Sequence, residues 1–262
     1  MVSLDNQHKK LTLKIMSRIF SLVFSLLFFV SSYSQSEIYE LRTYEIDFFK
    51  PQLVLHDYFQ NALIPALNRQ GIEQVGVFEE LGDALPKKMY LLITYADMQA
   101  FSNCDAALEK DAIYTKDAAA YMTLGPDEIP FKRMSSSLIR ASTVFTNLVK
   151  PADDSGVFEL RIYESYNEDA LRRKVKMFND HEFQIFEDVG LPMVFFGTNI
   201  SGDQMPCLTY LLALKDMEAH KEAWSKFGPH PEWQRIIKLE EYANTVSSIT
   251  RVFLKPVDYS QL

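Results

Sequence analysis

Cysteine is nearly absent: Cys104 and Cys207 are the only two in 262 residues. That excludes a disulfide scaffold and a four-cysteine metal knuckle. One disulfide is compatible with the count, but spacing does not show it, and two small buried thiols is the simpler expectation. Glycine is also scarce, at nine. No Gly-x-Gly-x-x-Gly, Gly-x-Ser-x-Gly or Cys-x-x-Cys occurs, so the common dinucleotide, nucleophile-elbow and thiol-redox signatures are missing. Past residue 34 the histidines are His56, His181, His220 and His230, with no His-x-His. His181-Glu182 is followed by Phe-Gln-Ile, which is not the two-histidine zinc helix. No dedicated metal site and no cofactor are expected. Haem held by one His or Tyr needs no motif and stays open.

Basic charge is lacking too. The net charge is −8, and residues 1–34 hold Lys9, Lys10, Lys14 and Arg18 against Asp5, so the remainder carries −11. An acidic body argues against nucleic acid or an anionic membrane as partner. No apolar run is long enough to span a bilayer comfortably. Ile19 to Val30 is apolar or Ser, basic residues precede it, and Ser32 and Ser34 suit cleavage before Gln35. Residues 1–34 are therefore expected to be a signal peptide, with an uncleaved anchor as the alternative. Met16-Ser17-Arg18 would itself be a good start, which makes residues 1–15 a candidate over-called leader. The expected location is the periplasm or the cell exterior, without stable membrane insertion after cleavage.

What is present is a repeat. Tyr39-Glu40-Leu41-Arg42-Thr43-Tyr44 returns as Phe158-Glu159-Leu160-Arg161-Ile162-Tyr163. The offset of 119 also carries Phe59 to Phe178, Gly71 to Gly190, Val75 to Val194, Leu92 to Leu211 and Asp97-Met98 to Asp216-Met217. A tandem duplication is the simplest account. It predicts a first module over 35–150, a polar, turn-rich linker over 151–156, and a second module over 157–262.

Each copy shows the same string of elements. Strands are expected over 38–46, 72–78, 89–95 and 137–145, and again over 157–164, 191–196, 208–214 and 246–254. A helix runs from Pro51 to Gln70, kinked by Pro65 and stopped by Gly71; its counterpart covers about 168–189. Asp97 and Asp216 cap the second helices. Strand-helix-strand-strand-helix-strand is the ferredoxin-like βαββαβ unit, an antiparallel four-stranded sheet with helices on one face. The expected fold is α+β. Two such modules pack their sheets face to face, as an intrachain pseudo-dimeric α/β barrel.

Tyr39-Glu40-Leu41-Arg42-Thr43-Tyr44, the Gly-x-x-x-Val-Gly-x-Phe of residues 71–78, and Pro231-Glu232-Trp233 after a Trp-containing helix resemble the NIPSNAP family, in its two-copy secreted bacterial form. The resemblance covers nearly all of 37–262. It implies the dimeric α/β-barrel fold and little chemistry, since the family lacks an established reaction. Its relatives by fold include cofactor-free monooxygenases, haem-degrading enzymes and small-molecule isomerases. The first copy departs from the pattern in having Asp111-Ala112-Ile113-Tyr114 where the second has its tryptophans.

Period two places Glu40, Arg42 and Tyr44 on one strand face, and Glu159, Arg161 and Tyr163 likewise. With Leu41 toward the helices, these six are expected to point between the sheets. There each Glu–Arg pair either satisfies itself or lines a ligand pocket, with Arg holding a carboxylate or enolate oxygen. His56 sits on the apolar stripe of its helix where the second copy has Val175. Glu182 interrupts its own stripe where the first copy has Leu63. Both are candidate acid/base groups, with an ordinary hydrogen-bonded helix residue as the alternative. Trp224, Phe227 and Trp233 form an aromatic corner, read first as packing.

Two functions follow. One is a cofactor-free oxygenase or isomerase acting on a small, partly apolar molecule, with His56 or Glu182 as base. The other is a non-catalytic binding or assembly module, which requires the space between the copies to be filled by side chains. A homo-oligomer is compatible with either.

Overall fold

The computed structural model describes residues 36–47, 49, 50 and 52–262. The expected signal segment lies outside the described residues. Eight strands form one closed antiparallel barrel in the order β1-β3-β2-β8-β5-β7-β6-β4. The first module supplies β1 (Ile38–Ile46), β2 (Val75–Glu80), β3 (Lys88–Tyr95) and β4 (Phe131–Ala141). The second supplies β5 (Val157–Glu164), β6 (Met193–Ser201), β7 (Cys207–Leu214) and β8 (Ser248–Pro256). The two repeated strands, β1 and β5, are each central in their own half and lie on opposite sides of the barrel.

The two halves do more than face each other. They join at both edges, through β2–β8 and β4–β6, so no sheet edge is left open. At the β4–β6 seam Gly197 lies opposite Ala141, and a Cβ on it would run into the Arg140 carbonyl. Glycine is what lets the second seam close. β4 starts six residues earlier than its pattern suggests, because Lys132, Arg133 and Met134 are exposed and hide the alternation.

The long helix of the first module, α1, consists of Leu53–Tyr58, a π-helical turn Phe59–Leu63, and Ile64–Arg69. Gly71 follows at φ +81°, the left-handed stop expected there. The helices Met98–Lys110 (α2), Ala112–Asp117 (α3) and Ala119–Met122 (α4) complete that half. In the second module α5 is built the same way: Glu168–Met177, a π turn Phe178–Glu182, and Phe183–Val189, stopped by Gly190 at φ +79°. Met217–Phe227 (α6) and Pro231–Ile236 (α7) follow. Asp97 and Asp216 cap α2 and α6 as expected, accepting from Ala100 and Ala219. The π turns occupy the same place in both copies. Gln184 stands where α1 has Pro65, so proline is not the cause of the turn.

Three apolar clusters hold the described residues together. One lies between α1–α4 and the first half-sheet, one between α5–α7 and the second. The third fills the barrel interior with Tyr39, Leu41, Phe78, Leu92, Phe158, Leu160, Phe195 and Leu211 among others. This corrects the assignment of faces. Leu41 and Leu160 point into the barrel, and Glu40, Arg42, Tyr44, Glu159, Arg161 and Tyr163 point to the helices. The reason is supply of partners: helices and neighbouring strands offer hydroxyl, indole and imidazole groups, whereas the barrel interior offers mainly hydrocarbon.

Each module also lends a strap to the other. After β8 the chain follows β2, with Val257 N–H donating to the Val77 carbonyl and Gln261 N–H to the Val75 carbonyl. After β4 the chain follows β6, with Val149 N–H donating to the Val194 carbonyl. Val75 and Val194 are equivalent in the repeat, so the two straps are a symmetric pair. Leu148 and Leu262 pack against the barrel interior.

Candidate functional site

The strand pairs are satisfied from within. Arg42 donates to both oxygens of Glu40, at 2.6 and 2.9 Å. Glu40 also accepts from Tyr95 Oη at 2.9 Å and Ser136 Oγ at 2.8 Å. Burial raises the Glu40 pKa, but the hydrogen bonds and charge of Arg42, with Ser136 and Tyr95, outweigh it and leave the carboxyl below its usual range.

The second pair has different partners. Arg161 Nε donates to Glu159 at 2.8 Å. The other Glu159 oxygen meets His220 Nε2 and Trp224 Nε1, both at 2.9 Å. Arg161 donates to Tyr163 Oη at 2.8 Å, and its guanidinium lies 4.2 Å from the Trp224 ring centroid. The repeat positions of His220 and Trp224 in the first module are Phe101 and Asp105. One strand motif is thus served by a Tyr and a Ser in one half and by a His and a Trp in the other. Trp224 is tied to the second pair by a bond as well as by packing.

Glu182 is 2% exposed and pairs with Lys174 Nζ at 2.5 Å. Lys174 is 4% exposed and lies 4.8 Å from the Phe178 ring centroid. Burial raises the Glu182 pKa, against the opposing pull of Lys174. In the first module the same two positions are Leu55 and Leu63, both fully buried. The duplication therefore shows a buried ion pair standing where the sister copy has two leucines.

His56 lies elsewhere, in a groove of about 420 Å³ between α1, the end of β2 and the C-terminal strap. Its Nδ1 is 2.7 Å from Tyr259 Oη and its Nε2 is 3.3 Å from Glu79 Oε1. The imidazole is one-fifth exposed and Glu79 nearly half, so the string opens to solvent. Burial, then the Glu79 charge, raise the Tyr259 pKa above its ordinary value, which keeps the hydroxyl protonated. Glu79 and Tyr259 carry no motif. Tyr259 is 203 residues from His56, and only the strap brings them together.

A groove of about 560 Å³ occupies the matching place in the second module, lined by Leu171, Val175, Thr198 and Met205 among others. Val175 and Thr198 are the repeat positions of His56 and Glu79. The two grooves thus share a location and differ in ionisable groups. Of the eight residues singled out in the sequence, His56 alone lines either groove.

Among the described residues no group of three or more His, Cys, Asp or Glu is placed to hold a metal ion. Cys104 and Cys207 are buried and unlinked. No helix of the described residues is long and apolar enough to cross a membrane.

Comparison with known proteins adds a family. The NIPSNAP family model matches residues 39–125 and 158–261, once in each module. Among solved structures, a candidate monooxygenase of Fusobacterium nucleatum is similar over 86% of this chain and 94% of its own, at 15% identity and a TM-score of 0.54. A second candidate monooxygenase, from Lactobacillus acidophilus, is similar over 85% and 94%, at 14% identity and 0.51. A NIPSNAP-like domain protein of Burkholderia xenovorans covers 41% of this chain and 90% of its own, at 18% identity and 0.37. At these identities the first two likenesses establish the fold alone. A search of curated proteins gives no match.

Proposed function

The chain belongs to the NIPSNAP family, and on that premise we propose that it binds a small, partly apolar molecule in the first-module groove and moves a proton on it. His56 is the base of this reading. The carrying observation is a groove-lining histidine, held between a tyrosine and a carboxylate, at a place where the sister module has Val175. Removing a proton from a bound carbon acid is the step shared by isomerases and cofactor-free oxygenases, and an imidazole backed by a carboxylate suits it. Glu40 and Arg42 then serve to tie β1 to β3 and β4, Glu159 and Arg161 to tie β5 to α6, and Glu182 serves as the partner of Lys174.

Export completes the proposal. It rests on the apolar run after Arg18 and the small residues before Gln35. Mass spectrometry of the secreted chain tests it: a mature N-terminus at Gln35 supports export, and an intact leader on cytoplasmic protein contradicts it.

One observation favours the non-catalytic alternative. The barrel interior is filled by side chains, as that alternative requires. The two readings part at His56. A thermal-shift screen of partly apolar carbonyl compounds against the wild type and His56→Val separates them. Compounds that stabilise the wild type and lose their effect in His56→Val support the groove. Stabilisation that is unchanged in His56→Val overturns it.

A further inference from the structure

Tyr259 belongs to the second module by sequence and to the first by position. The strap that carries it is held by backbone bonds from Val257 and Gln261 to β2. Side chains pin it too: Val77 N–H donates to Ser260 Oγ at 3.0 Å and Val75 N–H to Gln261 Oε1 at 3.2 Å. The Tyr259 ring meets the His56 ring edge-on at 5.9 Å between centroids, and the phenol itself lines the groove. The result is a string, Glu79–His56–Tyr259, joined by a 3.3 Å His–carboxylate contact and a 2.7 Å hydrogen bond, with its phenolic end on the groove wall.

Resting on the reading of the groove as the binding site, we propose that Tyr259 is the catalytic residue that touches the ligand, and that the ligand is an enolisable carbonyl compound. The step balances without a co-reactant. The α-carbon proton of the ligand passes to Tyr259 Oη as the phenolic proton passes to His56 Nδ1. The C–H electron pair moves to form the C=C bond of the enolate, and the carbonyl π pair moves to oxygen. His56 gains one proton, the ligand loses one, and return of that proton to oxygen or carbon gives the enol or the exchanged ketone. The imidazolium so formed faces the Glu79 carboxylate, and the Lys255 ammonium on the same groove offers a counter-charge to the enolate. Asp258 is the other ionisable group lining the groove. The first-module site is thus completed by the second module's strap, while the matching groove of the second module, with Val175 and Thr198, lacks the relay.

The test uses the full chain and 2-tetralone, a partly apolar enolisable ketone. Exchange of its α-protons in deuterium oxide is followed by NMR for the wild type, Tyr259→Phe and His56→Val, each checked for unaltered thermal unfolding. Tyr259→Phe keeps the ring packing and removes only the hydroxyl. The expected result is exchange accelerated by the wild type, with a loss of about 10²-fold in both variants, the usual worth of a positioned acid/base group. Loss in His56→Val with retention in Tyr259→Phe overturns the role of Tyr259 and leaves the His56 reading standing. Retention in both overturns both. No acceleration by the wild type overturns the substrate class, and the thermal-shift screen with His56→Val then judges the groove independently.

Discussion

Replacing the buried Lys174–Glu182 pair with the residues of the sister module tests the structural half of the account. Both groups are nearly sealed from solvent, and their positions in the first module are Leu55 and Leu63. Lys174→Leu with Glu182→Leu therefore installs a solution the same fold already uses. Exchange of a buried ion pair for packed hydrocarbon is neutral or stabilising by about 1–4 kcal/mol. Glu182→Leu alone strands the ammonium and costs about 3–5 kcal/mol. At about 2–4 °C per kcal/mol for a body of this size, the single variant melts about 6–20 °C lower while the double melts at or above the wild type. Urea unfolding of the wild type, both singles and the double gives the coupling energy directly. A double variant as unstable as Glu182→Leu would refute the reasoning and show that the pair does something leucines cannot.

Three further outcomes follow. Glu40 has a folded pKa below its unfolded value of 4.5, so the unfolded state binds the extra proton in acid. Its stabilising share is present above that value and is lost as pH falls through the depressed folded pKa; urea midpoints between pH 3 and 7 should show a steeper acid loss in the wild type than in Glu40→Gln. Gly197→Ala forces a methyl against the Arg140 carbonyl at the β4–β6 seam and should cost about 1–3 kcal/mol by urea unfolding. Gly190→Ala meets no neighbouring atom, so its cost is the left-handed backbone alone, about 1–2 kcal/mol.

The repeat made the architecture readable. A shared offset placed the strands and the paired helices of two modules, and period two placed Glu and Arg on one strand face. That face was then aimed at the wrong layer, because alternation says which residues share a side and not which side has polar partners. Lys174 was hidden in the run Arg172-Arg173-Lys174-Val175-Lys176, which reads as a solvated helix face. Its burial follows from the position of the helix over β7, which no local pattern encodes. Glu182 and His56 were legible as polar residues on apolar stripes, since the sister copy showed what each stripe would otherwise hold. Tyr259 and Glu79 were not legible: Glu79 lies near a strand end with no motif around it, and Tyr259 reaches His56 only through the strap of the other module. His220 and Trp224 were likewise invisible as partners of Glu159, since 61 and 65 residues separate them from it.

The central claim is that chemistry belongs to the groove at His56 and not to the strand pairs. Imidazole ¹⁵N NMR of the full chain, titrated with 2-tetralone, tests it directly. His56, His181, His220 and His230 each report on a different place, and His220 reports on the Glu159–Arg161 pair. The account predicts that the His56 nitrogens shift on addition of the ketone, that the shift is altered in Tyr259→Phe, and that His220 stays still. A shift at His220 with His56 unmoved would contradict it and move the site to the second module's strand.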